Sequence, residues 1–258
     1  MKALLPLLLL VPMVASADSP FDGTWVGKLD SATFDKKPDV VLVDKGMYQN
    51  SGFTPPVKVK ADGTDQPVAG HAYFDTLAVK VLGPDSVELT MKKAGKVSYV
   101  NTTTVAADGK TATLKWSDQT GTSPATGEYS MDRVKSGPKG SNAVSGSWRA
   151  GKIEDASANG NTLTFKATAD GMTMSTPTGQ SYDAKFDGKY YLTAGDPGQT
   201  MVSLKKVSAH TMVETDKRLG KVVWTGTWTV NPDGKSMSVV WQEKLSGHTG
   251  SFVYTKSS

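Results

Sequence analysis

The residues best suited to chemistry are two carboxylates, Glu214 and Asp216, two positions apart in a stretch rich in threonine and valine. If this stretch is a β-strand, side chains at i and i+2 share a face, so the two carboxylates lie side by side. Inside a cavity they would raise each other's pKa and act as a polar anchor or an acid–base pair. If the strand is displaced by one residue, Val213 and Thr215 point inward and both acids face water, which avoids the cost of burying them. The sequence leaves both arrangements open.

Other groupings that carry chemistry are missing from the sequence. There is no cysteine, and the three histidines, His71, His210 and His248, lack the close spacing of a zinc motif. Neither a Gly-x-Ser-x-Gly turn for a serine nucleophile nor a glycine-rich phosphate loop occurs. We therefore predict no catalytic residue, no bound metal and no cofactor.

Aromatic residues are the better candidates for contact with a ligand. Aromatic side chains combined with a few polar groups are typical of binding pockets. The same residues would serve equally well to fill a solid core without any cavity. The candidate ligand-binding residues are Tyr182, Tyr191, Trp224, Trp228, Glu214 and, in the first half of the chain, Tyr99.

These candidates lie in a sequence that is written twice. Residues 95–97, Gly-Lys-Val, return as residues 220–222, and Asp-Gly-Lys at 108–110 returns at 233–235. In the same register Trp116 returns as Trp241. A shared turn chemistry alone would not hold one register for so long, so we infer an internal duplication.

Each repeat has the pattern of an antiparallel β-sheet. Short runs rich in valine, threonine and aromatic residues are separated by Asp-Gly and proline-containing turns, and no long stretch has helical periodicity. Strands with one apolar face are typical of a meander that closes on itself. We predict an all-β fold of two tandem antiparallel meander β-barrels, with about eight to nine strands each and little helix. In 221–230 the predicted inward face comprises Val222, Trp224, Gly226, Trp228 and Val230.

Each repeat also opens with Gly-x-Trp, at Gly23-Thr24-Trp25 and at Gly146-Ser147-Trp148. This motif resembles the signature of the calycins, the lipocalins and fatty-acid-binding proteins. The resemblance implies that the tryptophan closes the barrel floor against a cationic residue of the last strand. It assigns Arg133 to Trp25, and Lys256 is the nearest candidate for Trp148. It further implies a cup for a small, largely apolar molecule. The residues predicted to close the barrels are Gly23, Trp25, Arg133, Gly146, Trp148, Trp116 and Trp241.

The N-terminus has the features of a secretory signal peptide. Lys2 precedes an apolar run over 4–14, and Ala15-Ser16-Ala17 suits a cleavage site. The apolar run is short for a membrane-spanning helix, although a signal anchor is the alternative. We expect cleavage after Ala17, a secreted or periplasmic location, and no integral membrane segment in the mature chain.

The predicted organisation is a signal peptide over 1–17, a first barrel over 18–134, a linker over 135–143 rich in glycine, serine and proline, and a second barrel over 144–258. The 29 cationic residues are dispersed among 25 acidic ones, a pattern that argues against nucleic-acid binding.

We expect a lipocalin-like protein, not an enzyme, that binds a small apolar ligand in a barrel cavity. One alternative is a ligand-free β module that binds a protein or polysaccharide through its outer surface. The other is a hydrolase or isomerase that uses the inward carboxylates of the second repeat.

Overall fold

The computed structural model describes residues 19–257, so the predicted signal peptide lies outside the described residues. The described chain is all-β, and its only helical elements are two 3-10 turns, Leu29–Ser31 and Ala158–Gly160. None of the described helices has the length and apolarity needed to cross a membrane. The first eleven strands are β1 Gly23–Gly27, β2 Thr33–Phe34, β3 Asp39–Asp44, β4 Met47–Asn50, β5 Val57–Lys60, β6 Asp62–Pro67, β7 Thr76–Gly83, β8 Ser86–Lys93, β9 Lys96–Val105, β10 Thr111–Asp118 and β11 Ala125–Ser136. The others are β12 Gly146–Ala156, β13 Thr162–Ala167, β14 Gly171–Ser175, β15 Ser181–Lys185, β16 Tyr191–Leu192, β17 Met201–Lys206, β18 Thr211–Arg218, β19 Lys221–Val230, β20 Ser236–Glu243 and β21 Thr249–Lys256.

The strands form two nearly closed antiparallel sheets, which confirms the predicted fold class. The sheet named barrel I has the order β5-β4-β3-β12-β11-β10-β9-β8-β7-β6. The sheet named barrel II has the order β15-β14-β13-β1-β21-β20-β19-β18-β17-β16, and β2 adds to β21. Each path has ten strands rather than the predicted eight or nine. The difference arises because very short strands such as β16, with two residues, lack a readable alternation.

The two repeats have exchanged their opening strands. β1 pairs with β13 and β21 in barrel II, whereas β12 pairs with β3 and β11 in barrel I. The sheets therefore do not follow the predicted division of the chain. Residues 135–143 lie at the end of β11 and in its connection to β12, both strands of barrel I, and the chain passes between barrels at 35–38 and at 157–161. Because the repeats are alike, either opening strand finds an equivalent place in either barrel, as in domain swapping.

Each barrel has a tryptophan floor built in the same way. Trp25 and Trp148 are buried, and each indole N–H donates to the carbonyl of the residue four positions earlier, at 2.8 Å in both cases. The cationic partners are exchanged relative to the prediction. The Arg133 guanidinium lies 4.0 Å from the ring centroid of Trp148, and the Lys256 ammonium lies 5.2 Å from that of Trp25. The predicted pairing of Arg133 with Trp25 is wrong, because each cation belongs to the barrel that received the other repeat's tryptophan.

The glycine of Gly-x-Trp is required by this contact. Gly23 and Gly146 have φ angles of 132° and 147°, where a side chain is strained. A β-carbon on Gly23 would meet Lys256 Cε at 2.5 Å, and one on Gly146 would meet the Lys135 carbonyl oxygen at the same distance. The motif thus keeps the chain close enough for the last strand to place its cation over the ring.

A bulge changes part of the predicted inward face of β19. Between Asp216 and Lys217 the pairing register with β19 shifts by one residue. As a result Val223 is 7% exposed and Val222, predicted to point inward, is 37% exposed. From Trp224 to Val230 the predicted face holds, since Gly226, Trp228 and Val230 are buried. A bulge of this kind inserts one residue and reverses the alternation beyond it.

The two barrels meet at the ends opposite their tryptophan floors. The Thr122 backbone N–H, in the loop after β10, donates to the Thr178 carbonyl at 2.8 Å. The Tyr73 hydroxyl lies 3.4 Å from the Thr200 hydroxyl, and the Arg218 guanidinium lies 5.1 Å from the centroid of the Tyr73 ring. The open end of each barrel therefore faces the other barrel and contacts it.

Candidate functional site

A cavity of about 540 Å³ opens inside barrel II where it meets barrel I. We call it the aromatic cavity. β19, β20 and β21 supply half of its lining residues, and barrel I contributes Asp39, Gly52, Ala150 and Ile153. Its aromatic lining comprises Phe34, Trp224, Trp228, Trp241, Phe252 and Tyr254.

The rings of this lining support one another. Trp228 lies 5.8 Å from Tyr254 and 6.4 Å from Trp224, measured between ring centroids. Phe252 and Tyr254 meet edge to face at 5.0 Å, and Phe34 meets Trp241 in the same way at 6.5 Å. Such contacts add to the burial energy of each ring and hold the wall in one arrangement. The result is a preformed apolar surface.

The chain crossing from barrel II to barrel I forms one side of the aromatic cavity. His248 Nδ1 lies 3.2 Å from both oxygens of Asp35, and its Nε2 lies 3.6 Å from Asp39 Oδ1. Burial opposes the charge on Asp35, but backbone N–H groups of Thr249 and Lys37, with His248, hold its pKa below the ordinary value. These contacts tie the crossing segment to the loop between β20 and β21.

Barrel I contains a smaller cavity of about 260 Å³, which we call the inner cavity. Trp148 closes it at the floor, and Val87, Leu89 and Leu114 line its wall. Its neutral polar groups are those of Tyr48, Asn50, Asn101, Thr103 and Tyr129. Barrel I is therefore hollow as well, but its lining is less aromatic than that of barrel II.

The carboxylates of β18 face the interior of barrel II. Glu214 is buried, opposite the fully buried Leu204 of β17, and the Tyr182 hydroxyl donates to Glu214 Oε2 at 3.0 Å. Asp216 Oδ1 is buried without a hydrogen-bond partner in the described chain. The Trp228 indole N–H lies near Glu214 but completes no hydrogen bond within residues 19–257. Of the two arrangements open from the sequence, the structure has the inward one.

Burial perturbs both acids. Desolvation first, and the charge of Asp216 second, raise the pKa of Glu214 to about 8. Desolvation also raises the pKa of Asp216, to about 6, although the positive charge of Arg218 opposes the shift. Two carboxyls this close cannot both ionise freely, so they share protons near neutral pH. Neither acid lines the aromatic cavity.

The structure separates the predicted ligand-binding residues. Trp224 and Trp228 line the aromatic cavity, while Tyr182 and Glu214 form a hydrogen-bonded pair outside its lining. The ring of Tyr191 packs against the core of barrel II, and its hydroxyl donates to Asp187 at 3.0 Å. Tyr99 packs against the core of barrel I, and its hydroxyl donates to Asp118 Oδ2 at 2.9 Å.

The two tryptophans that correspond between the repeats have different surroundings. Trp241 lines the aromatic cavity. Trp116 lies at the rim of barrel I, where it packs over Gly127 and borders a separate pocket beside Gly160. Of the two corresponding tryptophans, Trp241 alone therefore lines the aromatic cavity.

Sequence reasoning missed part of the aromatic lining. Phe252 and Tyr254 alternate in the last strand, so a period-two interpretation of 249–256 would have placed both rings on one face. Phe34 gives no such signal, because its strand has only two residues and stands just before the chain crossing. Among residues 19–257 no cluster of three or more histidine, cysteine, aspartate or glutamate side chains is arranged to hold a metal ion.

Comparison of the chain with protein-family models, with curated proteins and with solved structures found no match.

Proposed function

We propose that this chain is an exported, lipocalin-like tandem barrel protein that binds a small, largely apolar molecule within its barrels. The observation that carries the proposal is the aromatic cavity, about 540 Å³ in volume and lined by six aromatic rings. Ligand pockets generally have volumes of about 300–1,000 Å³ and predominantly apolar walls. The alternative of ligand-free modules requires filled barrels and fits these cavities poorly.

The lipocalin-like assignment draws support from the two floors. Each Gly-x-Trp opens a strand of a ten-stranded antiparallel barrel, and each tryptophan has a cationic side chain from the neighbouring strand over its ring. Fold alone does not define function. The cavity residues, rather than the floors, therefore have to be tested.

The expected affinity follows from the size of ligand that the aromatic cavity accepts. At about 0.3 kcal/mol per heavy atom, a molecule of about twenty heavy atoms gains about 6 kcal/mol. That free energy corresponds to a dissociation constant of tens of micromolar. Titrations should therefore extend into the high micromolar range.

The test is a titration of the mature protein with N-phenyl-1-naphthylamine, a neutral fluorescent apolar probe, after extraction and analysis of any co-purified lipid. We expect saturable binding, weakened at least fivefold by Trp241→Leu because this ring lines the aromatic cavity. Trp116→Leu, at the corresponding position of barrel I, is the matched control and should bind as the unmodified protein does. Absence of both co-purified lipid and saturable probe binding would refute the proposal.

Acid–base catalysis by Glu214 and Asp216 is a second candidate, favoured by their raised pKa values. It is the weaker one, because neither carboxyl lines a described cavity and Glu214 is already engaged by Tyr182.

A further inference from the structure

The aromatic cavity and the inner cavity meet at the junction of the barrels. Asp39, Gly52 and Ala150 line both of them. These residues belong to barrel I at the end where barrel II contacts it. Gly52 has no side chain and Ala150 has only a methyl group, so two of the three shared residues are small, and both are exposed.

We propose that the two cavities form one binding chamber, which holds a single elongated, uncharged molecule lying across both barrels. This inference rests on the proposed function and specifies its ligand. The apolar body of the ligand lies among the rings of barrel II. A narrower end with a hydroxyl or amide group enters barrel I.

Cavity size supports one ligand rather than two. The inner cavity, at about 260 Å³, falls below the usual lower limit of about 300 Å³ for ligand pockets. It is thus too small for an independent ligand of ordinary size, but it adjoins the aromatic cavity at the three lining residues that both share. An elongated molecule would use both volumes and would be closed off by Trp148 at one end.

The exchanged strands favour a lasting chamber over a transient contact. Both chain crossings, 35–38 and 157–161, lie at the junction, and each connects a strand of one barrel to a strand of the other. The barrels are thereby joined by two covalent connections at their open ends. The hydrogen bond from Thr122 to Thr178 adds a contact between the barrels away from the crossing at 35–38.

The lining charges argue against an anionic ligand. Around the aromatic cavity the ionisable groups are those of Asp35, Asp39, Glu243, His248 and Lys37, so carboxylates outnumber cations. The Lys37 ammonium also donates to the Ser246 carbonyl.

The inner cavity reinforces this preference. Its only ionisable groups besides tyrosine hydroxyls belong to Asp39, and its polar partners at depth are the Asn101 amide and the Thr103 hydroxyl. A carboxylate head group would be desolvated there without a cation, which is costly, whereas a hydroxyl or amide can form hydrogen bonds.

The experiment measures displacement of N-phenyl-1-naphthylamine by straight-chain alcohols of six to fourteen carbons, and native mass spectrometry counts bound 1-dodecanol per chain. We expect one dodecanol per chain, affinity that rises with chain length, and at least tenfold weaker binding of dodecanoate. Asn101→Phe, which fills the inner cavity only, should weaken dodecanol at least tenfold but change hexanol and the fluorescent probe less than threefold. Val100→Phe, the neighbouring position on the opposite face of β9, is the matched control.

Ala150→Trp is a second variant, which narrows the shared border of the two cavities and keeps the test informative if Asn101→Phe disturbs folding. Circular dichroism and urea denaturation establish that each variant is folded, and retained binding of the fluorescent probe does so as well for Asn101→Phe. Two dodecanol molecules per unmodified chain would overturn the single chamber, as would unchanged dodecanol binding by both folded variants. Dodecanoate binding as tightly as dodecanol would overturn the uncharged ligand. Failure of the unmodified protein to bind any probe would instead remove the proposed function itself.

Discussion

Barrel I and barrel II share strand order and floor construction but differ at two inward positions of corresponding strands. Leu89 and Met91 of β8 are buried in the core of barrel I, whereas Glu214 and Asp216 occupy these places in β18 of barrel II. The surroundings differ in the same sense. Val57 of β5 stands where Tyr182 of β15 donates its hydroxyl to Glu214.

This difference shows that the two barrels share the contacts of their tryptophan floors, whereas the inward residues of their central strands differ in polarity. The floor contacts recur almost atom for atom, with both indole N–H groups donating at 2.8 Å. The middle of barrel II instead holds two carboxyls, of which Glu214 accepts a hydrogen bond from Tyr182, while Asp216 Oδ1 has no partner in the described chain. The hydrogen bond from Tyr182 offsets part of the cost of burying Glu214.

Placing a carboxyl at the corresponding position of barrel I should have the largest effect on the free energy of unfolding. Leu89→Glu would bury a carboxylate in a barrel whose inner cavity holds Asp39 and no cationic side chain, and we expect a loss of about 3–4 kcal/mol in the free energy of unfolding. Urea denaturation at pH 7 measures it. Thr90→Glu, the adjacent outward position, is the control and should stay within about 0.5 kcal/mol. An equally small effect of Leu89→Glu would show that the interior of barrel I is wet enough to ionise a carboxyl.

Removing the ionisable group from barrel II should produce the next largest effect, and one that depends on pH. The pKa of Glu214 in the folded protein, about 8, lies above its ordinary value of 4.5. Between these values the folded state binds more protons than the unfolded state, so stability falls as pH rises, by up to about 1.4 kcal/mol per pH unit for one proton. Glu214→Gln should lessen this fall and raise stability at pH 8 by about 2 kcal/mol.

Urea midpoints measured at half-unit steps from pH 5 to pH 8.5 test this expectation. Glu154→Gln, which removes an exposed carboxylate on β12, should leave the pH profile unchanged. A Glu214→Gln profile that parallels the unmodified protein would mean that Glu214 ionises freely in the folded state.

The features of the fold that could be predicted from the sequence are those set by local patterns. The Asp-Gly turns are an example, since Gly109 and Gly234 adopt φ angles of 66° and 67° and their turns have matching hydrogen bonds. The alternation over 224–230 correctly predicted the inward tryptophans. Local alternation could not choose between the two registers of β18, because burying Glu214 depends on Tyr182, which is remote in sequence.

The strand exchange could not be predicted, because it leaves every local pattern unchanged. Gly-x-Trp suits either barrel, and each cation fits either ring. The aromatic cavity depends on the same choice, since Phe34 reaches it only because the chain crosses from barrel II to barrel I at this point. The bulge in β19 had a smaller effect of the same kind, because it turned Val223 inward and Val222 outward.

The exchange of the opening strands predicts the smallest of the three effects on stability. It is an energetic coupling between the cationic side chain and the floor tryptophan of the same barrel. In a double-mutant cycle, Arg133→Met and Trp148→Leu should be coupled by about 1 kcal/mol, the energy typical of a partly exposed cation–π contact. Arg133→Met and Trp25→Leu should be additive within about 0.3–0.5 kcal/mol, because these residues belong to different barrels. Chemical denaturation of the four proteins in each cycle gives both numbers. Coupling of Arg133 to Trp25 instead of Trp148 would mean that each repeat keeps its own opening strand in solution, and the chamber enclosed by the crossings would then lose its structural basis.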